Sequence, residues 1–496
     1  MAGAQFRCII TISLSVIYNP VDKNLHSVYN RYIIFSYTIR EEIFMNNEKR
    51  SSFTGKLGFV LAAAGSAVGL GNIWRFPYLA AKYGGGIFLL VYIILAVSFG
   101  FALMVGEVAI GRKTGLSAIG AFNSLNKKFS FIGWIAAIIP VIIMPYYSVI
   151  GGWVTKYLAT FVTGGTANAA ADTFFTDFIS RPAEPVVWFL IFLGITAIIV
   201  LFGVEKGIEK VSKFMMPVLV VLSIFIAIYS MFMPGAMDGV IYYIKPDFSK
   251  FSATTVLAAM GQLFYSMSLA MGIMITYGSY MKKDVNLESS VTQIELFDTG
   301  IAFLAGLMII PAVFVFSGGT PEALGKGPSL MFVTLPKVFE TMAGGTLIGV
   351  AFFLLVLFAA LTSSISLMET VVSIVCDKTK LSRTMSCIIV FAASALMGLL
   401  SCFGYSIWSH VAIIGMPFLD FFDFVSNSVL MPVVALLTCL FIGFVIKPQT
   451  IIDEVELTGK FKRKALFRVV IKYLAPICIV LILVSSVMDA LGIFKI

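Results

Sequence analysis

Apolar runs of about 20 residues, each long enough to cross the hydrocarbon of a bilayer, recur from residue 57 to residue 494. Counting broken or extended runs once gives about eleven, so the pattern predicts an all-α polytopic membrane protein. Two of the runs are interrupted. The first contains "AAAGSAVGLGNIWRFPYLAAKYGGG" (62–86), with Gly65, Gly69 and Gly71 near its middle and Asn72 and Arg75 just beyond. The sixth, 256–280, contains "GQLFYSMSLAMGIMITYGSY", with Ser266, Ser268 and Gly272 among apolar neighbours.

In lipid every backbone N–H and C=O must be paired, so a helix break survives only where it lines a protein cavity. Interruptions in the first and sixth spans are the pattern of a 5+5 inverted repeat with its site at mid-membrane. Small residues also let helices pack closely, and either stretch alone fits that reading; the matched pair favours the repeat. Half-helix N-termini offer N–H groups to an anion, while unwound carbonyls offer oxygens to a cation. Such a site suits a small zwitterion travelling with Na+.

Composition agrees: of 496 residues, 59% are hydrophobic and 12% charged, about half the charge of a soluble chain. The net charge of +9 raises the question of nucleic acid, and its placement answers it. Basic residues cluster before the first span (Lys49, Arg50, Lys56) and after the second (Arg112, Lys113, Lys127, Lys128). They recur after the fourth (Lys206, Lys210, Lys213), sixth (Lys282, Lys283), eighth (Lys378, Lys380, Arg383) and tenth (Lys447, Lys460, Lys462, Arg463, Lys464). The alternate loops hold few, mixed with Asp172, Asp177, Asp238 and Asp247. This is the positive-inside asymmetry, which sets the first core span's start in the cytoplasm of a cell (inner) membrane protein and leaves no surplus for nucleic acid. Cys8, Cys376, Cys387, Cys402, Cys439 and Cys478 are scattered without metal spacing or a disulfide framework.

Residues 1–44 mix charges with short apolar pieces and form no sustained span, and "MNNEKRSSFTGKLGF" from Met45 reads as a cytoplasmic start. The expectation is that Met45 is the initiator and 1–44 an extension or mis-assigned start. Pro20 and Asp22 follow the apolar stretch 9–18 without a small-residue cleavage pattern, against a signal peptide. The remaining division is a cytoplasmic segment (45–56), a first repeat (57–234), an extracellular loop (235–254), a second repeat (255–446), a cytoplasmic loop (447–465) and helix 11 (466–496).

The stretch "GSAVGLGNIWRFPYLAAKYGGGIF" resembles the first-helix signature of the neurotransmitter:sodium symporter family, and within it the bacterial, leucine-transporter-like amino-acid transporters. Further resemblances are "GEVAIGR" (106–112), "YYSVIGGW" (146–153), "KGIEKVSKFMMP" (206–217), "GQLFYSMSL" (261–269), "LFAALTSSISLME" (357–369) and "DFVSNSVLMP" (423–432). The likeness extends over residues 53–494, with eleven spans as in the shorter bacterial members.

The resemblance implies two Na+ sites, and the residues suit a hard cation that takes oxygen ligands. One would use carbonyls of Gly65, Val68 and Ala359 with the hydroxyls of Thr362 and Ser363. Hydroxyls in apolar helices also bond back to their own helix, the plainer reading of "LTSSIS" alone. The other would use the Ala67 carbonyl, the side chains of Asn72, Ser266 and Asp298, and the substrate's carboxylate, so that substrate and ion complete each other's site. Asp298 departs from the family's usual asparagine. Tyr92, Gln262 and Ser266 match three chloride-site positions and Ala302 occupies the fourth. An intramembrane carboxylate is a functional candidate; the expectation is that Asp298 supplies the negative charge and chloride is not required.

By the same resemblance, the substrate carboxylate would meet N–H groups around Leu70 and Gly71 and the Tyr147 hydroxyl. Its ammonium would meet carbonyls of Ala67 and Tyr265, near Ser268. Gly69 stands where monoamine carriers have aspartate, which favours an amino acid. The side-chain pocket would be Ile143, Tyr265, Met271, Ser363 and Leu367, with Ser66 at one side. It is uncharged, so a charged side chain would be buried unpaired, and Met271 can adapt to large groups. Neutral, apolar or aromatic amino acids are the expected cargo.

Arg75 and Asp423 resemble the outer gate, above a lid of Tyr147 and Tyr265; Arg75 also fits a snorkelling interfacial arginine. Arg50 and Asp377 resemble the inner gate, supported by Tyr280, with Phe53 where the family usually has tryptophan. Glu107 is expected to accept hydrogen bonds from unwound backbone, in a structural or a coupling role. An enzyme fares badly: His26 and His410 are the only histidines, with no nucleophile–base pair in view. A channel, a non-transporting amino-acid sensor and a proton-coupled carrier are the rival readings. Nothing in the pattern sets an oligomeric state.

Overall fold

The computed structural model describes residues 52–318 and 328–490. The expectations for residues 1–44 and Arg50 lie outside the described residues. Among those described, nine helices are long and apolar enough to cross a membrane: Gly86–Thr114, Lys127–Val162, Glu184–Leu201, Val204–Met231, Leu287–Ser317, Gly345–Thr379, Arg383–Phe403, Phe418–Val445 and Lys464–Met488. They are the second to fifth and seventh to eleventh spans. The first span is a pair, Lys56–Ala67 and Gly71–Lys82, bent by 53° at its break. The sixth is also a pair, Ala253–Ser266 and Ile273–Ser279. At about 1.5 Å per residue neither half of a pair reaches across about 30 Å of hydrocarbon alone; the first pair joined makes ten spans, and the second pair lies where the sequence places the sixth.

Burial separates a core from a lipid-facing rim. The apolar stretch of the eighth span is 78% buried and that of the eleventh 28%. The first span packs against the fifth, seventh and eighth, and the eighth against the third. Ile273–Ser279 packs on the second span, backbone against backbone: a Cβ on Gly111 would strike the Ile275 carbonyl, and one on Gly278 the Val108 carbonyl. This accounts for the final glycine of "GEVAIGR". At the basic-loop end, the rings of Phe59 and Tyr277 stand edge-on to fully buried Phe53, each 5.7 Å away. The Phe53 N–H donates to the Tyr280 carbonyl (3.1 Å), so phenylalanine serves as the packing centre where tryptophan is usual.

Candidate functional site

In the first span the helix ends at Ala67, Val68 is extended (φ −74°, ψ 102°), and winding resumes as a wide π-turn, Gly71–Arg75. In the sixth, Ser268 (φ 53°), Ala270 (φ 63°) and Gly272 (φ 75°) are all left-handed. Ser268 Oγ donates to the Ser66 carbonyl (2.8 Å), joining the two breaks. Glu107, buried in the second span, accepts the Ala270 N–H at 2.7 Å, which is the contact with unwound backbone that the sequence suggested.

Between the breaks lies a small cavity. Its walls include every residue expected to touch substrate: Ser66, Ala67, Gly69, Leu70, Gly71, Ile143, Tyr147, Tyr265, Ser266, Ser268, Met271, Ser363 and Leu367. Asn72, Ile273 and Asn427 also line it. A Cβ built on Gly69 would lie 2.8 Å from Ser363 Oγ and 3.2 Å from the Tyr147 hydroxyl, so the glycine lets both hydroxyls pack close to the backbone. The Tyr147 hydroxyl is buried beside Ser363 and the Leu70 backbone.

The oxygens expected to hold ions converge in two groups. Ser363 Oγ crosses from the eighth span to the first, 3.1 Å from the Ser66 carbonyl, 3.4 Å from that of Val68 and 3.5 Å from that of Gly65. Its neighbour Thr362 bonds back to Phe358 O (3.0 Å) and Ala359 O (3.1 Å). The plain back-bonding reading thus describes Thr362, while Ser363 bridges two spans. The Gly65 position faces Thr362, whose side chain a Cβ there would approach to 3.1 Å.

In the second group, Asn72 Nδ2 donates to Asp298 Oδ1 (2.8 Å) and Ser266 Oγ (3.0 Å). Ser266 Oγ donates to Asp298 Oδ1 at 2.5 Å, and the Tyr92 hydroxyl to Asp298 Oδ2 at 3.1 Å. The Asn72 Oδ1 meanwhile accepts the Gly69 N–H (3.0 Å). The Asp298 carboxylate therefore sits between two of the chloride-site matches. Gln262 instead donates to the Gly71 carbonyl (3.0 Å), and Ala302 is buried one turn along the seventh span.

Above the cavity lies a larger vestibule whose walls include Arg75, Tyr78, Asp420 and Asp423. Tyr265 and Asn427 line both spaces and so form the partition between them. Arg75 stacks on Tyr265, its guanidinium 5.1 Å from the ring centre. Asp423 is held by the Tyr146 hydroxyl (3.1 Å) and Asn427 Nδ2 (2.6 Å). At the opposite end, Asp377 Oδ2 accepts the Ser117 N–H (2.9 Å). Tyr280 donates to Glu369 Oε1 (2.6 Å), and fully buried Glu369 pairs with Arg383.

Sequence reasoning missed three of these residues. Arg383 was legible only as one more basic residue of a loop, and Glu369 only as the end of a motif. Asn427 carried a usable signal: it lies four residues beyond Asp423, on the same helix face.

The model for the sodium:neurotransmitter symporter family matches residues 50–177 and 174–493. The sodium-dependent transporter YhdH of Bacillus subtilis (strain 168), itself uncharacterized, is 36% identical over 89% of this chain and 99% of its own length. An uncharacterized sodium-dependent transporter of Haemophilus influenzae is 32% identical over 89% of this chain and 99% of its own. Among solved structures, the crystal structure of MhsT in complex with L-phenylalanine is similar, with a TM-score of 0.80 and 37% identity. It covers 88% of this chain and 100% of its own. These relatives are transporters, not enzymes, and their matches run through both broken spans: this chain belongs to the sodium:neurotransmitter symporter family.

Proposed function

We propose that the protein is a sodium-coupled symporter that imports neutral amino acids with apolar or aromatic side chains, by alternating access and without requiring chloride. The observation that carries this reading is the uncharged cavity between the two breaks, where Gly69 lets the buried Tyr147 hydroxyl come close to the unwound backbone. A carboxylate in the cavity accepts from Tyr147 and from the N–H groups around Leu70 and Gly71. An ammonium at the other end meets the carbonyls of Ala67 and Tyr265 beside Ser268. Ile143, Met271, Ile273 and Leu367 supply an apolar wall that leaves no counter-charge for an ionised side chain. The L-phenylalanine named with the similar MhsT structure supports a neutral aromatic cargo.

Sodium has two candidate seats. At one, Gly65, Val68, Ala359, Thr362 and Ser363 supply oxygens from the first and eighth spans. At the other, Ala67, Asn72, Ser266 and Asp298 act together with the cargo's carboxylate. Asn72 now turns its amide nitrogen toward Asp298, so ion binding requires that amide to rotate and present oxygen. Asp298 brings the negative charge that chloride would otherwise supply. Arg75 and Asp423 gate the vestibule, and Asp377, Tyr280 and Arg50 the basic end, which the positive-inside rule assigns to the cytoplasm of the cell membrane.

Uptake by proteoliposomes of a labelled amino-acid panel tests this. Accumulation is expected in Na+, lost when K+ replaces Na+, unchanged when gluconate replaces chloride, and weakened about tenfold in apparent Na+ affinity by Ser363→Ala, the scale of one charge-assisted contact. Flux without Na+ would point to a channel or a proton-coupled carrier, and binding without accumulation to a sensor.

A further inference from the structure

Asn427 occupies an unusual place: it touches both the central cavity and the vestibule, and one side of its amide is fully committed. Its Nδ2 donates to Asp423 Oδ1 (2.6 Å) and to the Tyr146 hydroxyl (3.0 Å). A carboxylate only accepts, so the NH2 group must face it. The Tyr146 proton is itself directed at Asp423 Oδ1 (3.1 Å), which leaves that hydroxyl to accept from Asn427. The amide cannot flip without breaking these bonds. Asn427 Oδ1 is left turned away, screened from solvent and without a hydrogen-bond partner. A carbonyl oxygen in that condition is destabilising until a donor reaches it.

No side chain of the cavity wall pairs it: Ile143, Met271, Ile273 and Leu367 carry no donor, and the hydroxyls of Tyr147, Tyr265, Ser66, Ser268 and Ser363 do not reach it. Cargo can. We infer that Asn427 is a selectivity residue: its Oδ1 accepts a hydrogen bond from the far end of the cargo's side chain. It thereby favours aromatic amino acids that end in a phenolic O–H or an indole N–H over phenylalanine. A site that pairs such a group discriminates against the analogue lacking it, since the buried acceptor is then left unpaired. This inference rests on the amino-acid reading above.

The test is the relative uptake efficiency for tyrosine, tryptophan and phenylalanine in proteoliposomes of the wild type, Asn427→Leu and Tyr146→Phe. The wild type is expected to prefer tyrosine and tryptophan. Asn427→Leu, similar in size but without an acceptor, should shrink that preference about three- to tenfold, the range of a net hydrogen bond, whatever happens to absolute rates. Tyr146→Phe keeps Oδ1 in place and should lower all three substrates together. If the ratio is unchanged in Asn427→Leu while all three rates fall, Asn427 merely positions Asp423 and the inference is overturned. Should Asn427→Leu fail to reach the membrane, Asn427→Ala, which also lacks an acceptor, carries the same comparison. A wild type that accumulates none of the three would sink the amino-acid reading itself, an outcome distinct from an unchanged ratio.

Discussion

The first and sixth spans both lose their helical hydrogen bonds near the middle, by different backbone devices. The first break keeps to ordinary backbone: Val68 is extended, and none of Gly65, Gly69 and Gly71 is left-handed. Its glycines provide room, and Asn72 from the same span caps the Gly69 N–H. The sixth break turns through three left-handed residues, of which only Gly272 is glycine. Ser268 and Ala270 in that conformation cost roughly 1–2 kcal/mol each. Contacts from other spans hold them there: the Ser66 carbonyl takes the Ser268 hydroxyl, and Glu107 takes the Ala270 N–H. One break is therefore shaped by what its side chains lack, the other by what its neighbours impose.

The largest expected effect follows from the first device. Gly69→Val drives its side chain against Ser363 Oγ and the Tyr147 hydroxyl, and Na+-driven uptake should fall to background while the protein still reaches the membrane; retained uptake would mean that the close approach at Gly69 is not used. A smaller effect tests the second device. Glu107→Ala leaves the Ala270 N–H unpaired in a buried site, at a cost of about 1–3 kcal/mol, read as a lower melting temperature in detergent. Glu107→Gln keeps an acceptor and should lose less. The smallest effect is at Ala270→Gly. It relieves roughly 1–2 kcal/mol of strain and gives back about 0.4–1 kcal/mol through a freer unfolded chain, so melting should rise slightly or stay level. A fall as large as that of Glu107→Ala would show that the sixth break is not strained.

These differences explain what could be read in the sequence. Room shows in composition, so the glycines of the first span announced its break, and the long apolar runs announced the membrane. Strain does not show: nothing about Ser268 or Ala270 as residue types marks them as left-handed, because contacts remote in sequence hold them so. Most of the cavity wall was named through the likeness of motifs rather than through chemistry alone, and the structure brings those residues together around one space. Pairings between spans were the hardest to foresee. The bond from Tyr280 to Glu369, and from Glu369 to Arg383, joins three spans through side chains that in sequence look like a motif end and a topological charge. Ser363 and Thr362, adjacent and chemically alike, separate into a bridge and a back-bond because Ser363 turns its hydroxyl to the first span while Thr362 turns its methyl there.

The partition between cavity and vestibule includes the side chains of Tyr265 and Asn427, whereas the opposite end is closed by packed backbone and a buried aromatic knot around Phe53. Swinging a side chain takes picoseconds to nanoseconds when it is exposed, while parting helices takes microseconds to milliseconds. On the transport reading proposed above, loading from the vestibule is the quick half of the cycle and delivery the slow half. On that same reading, a molecule that has just boarded steps back out the way it came more often than it is carried through, and exchange at the vestibule outpaces net flow.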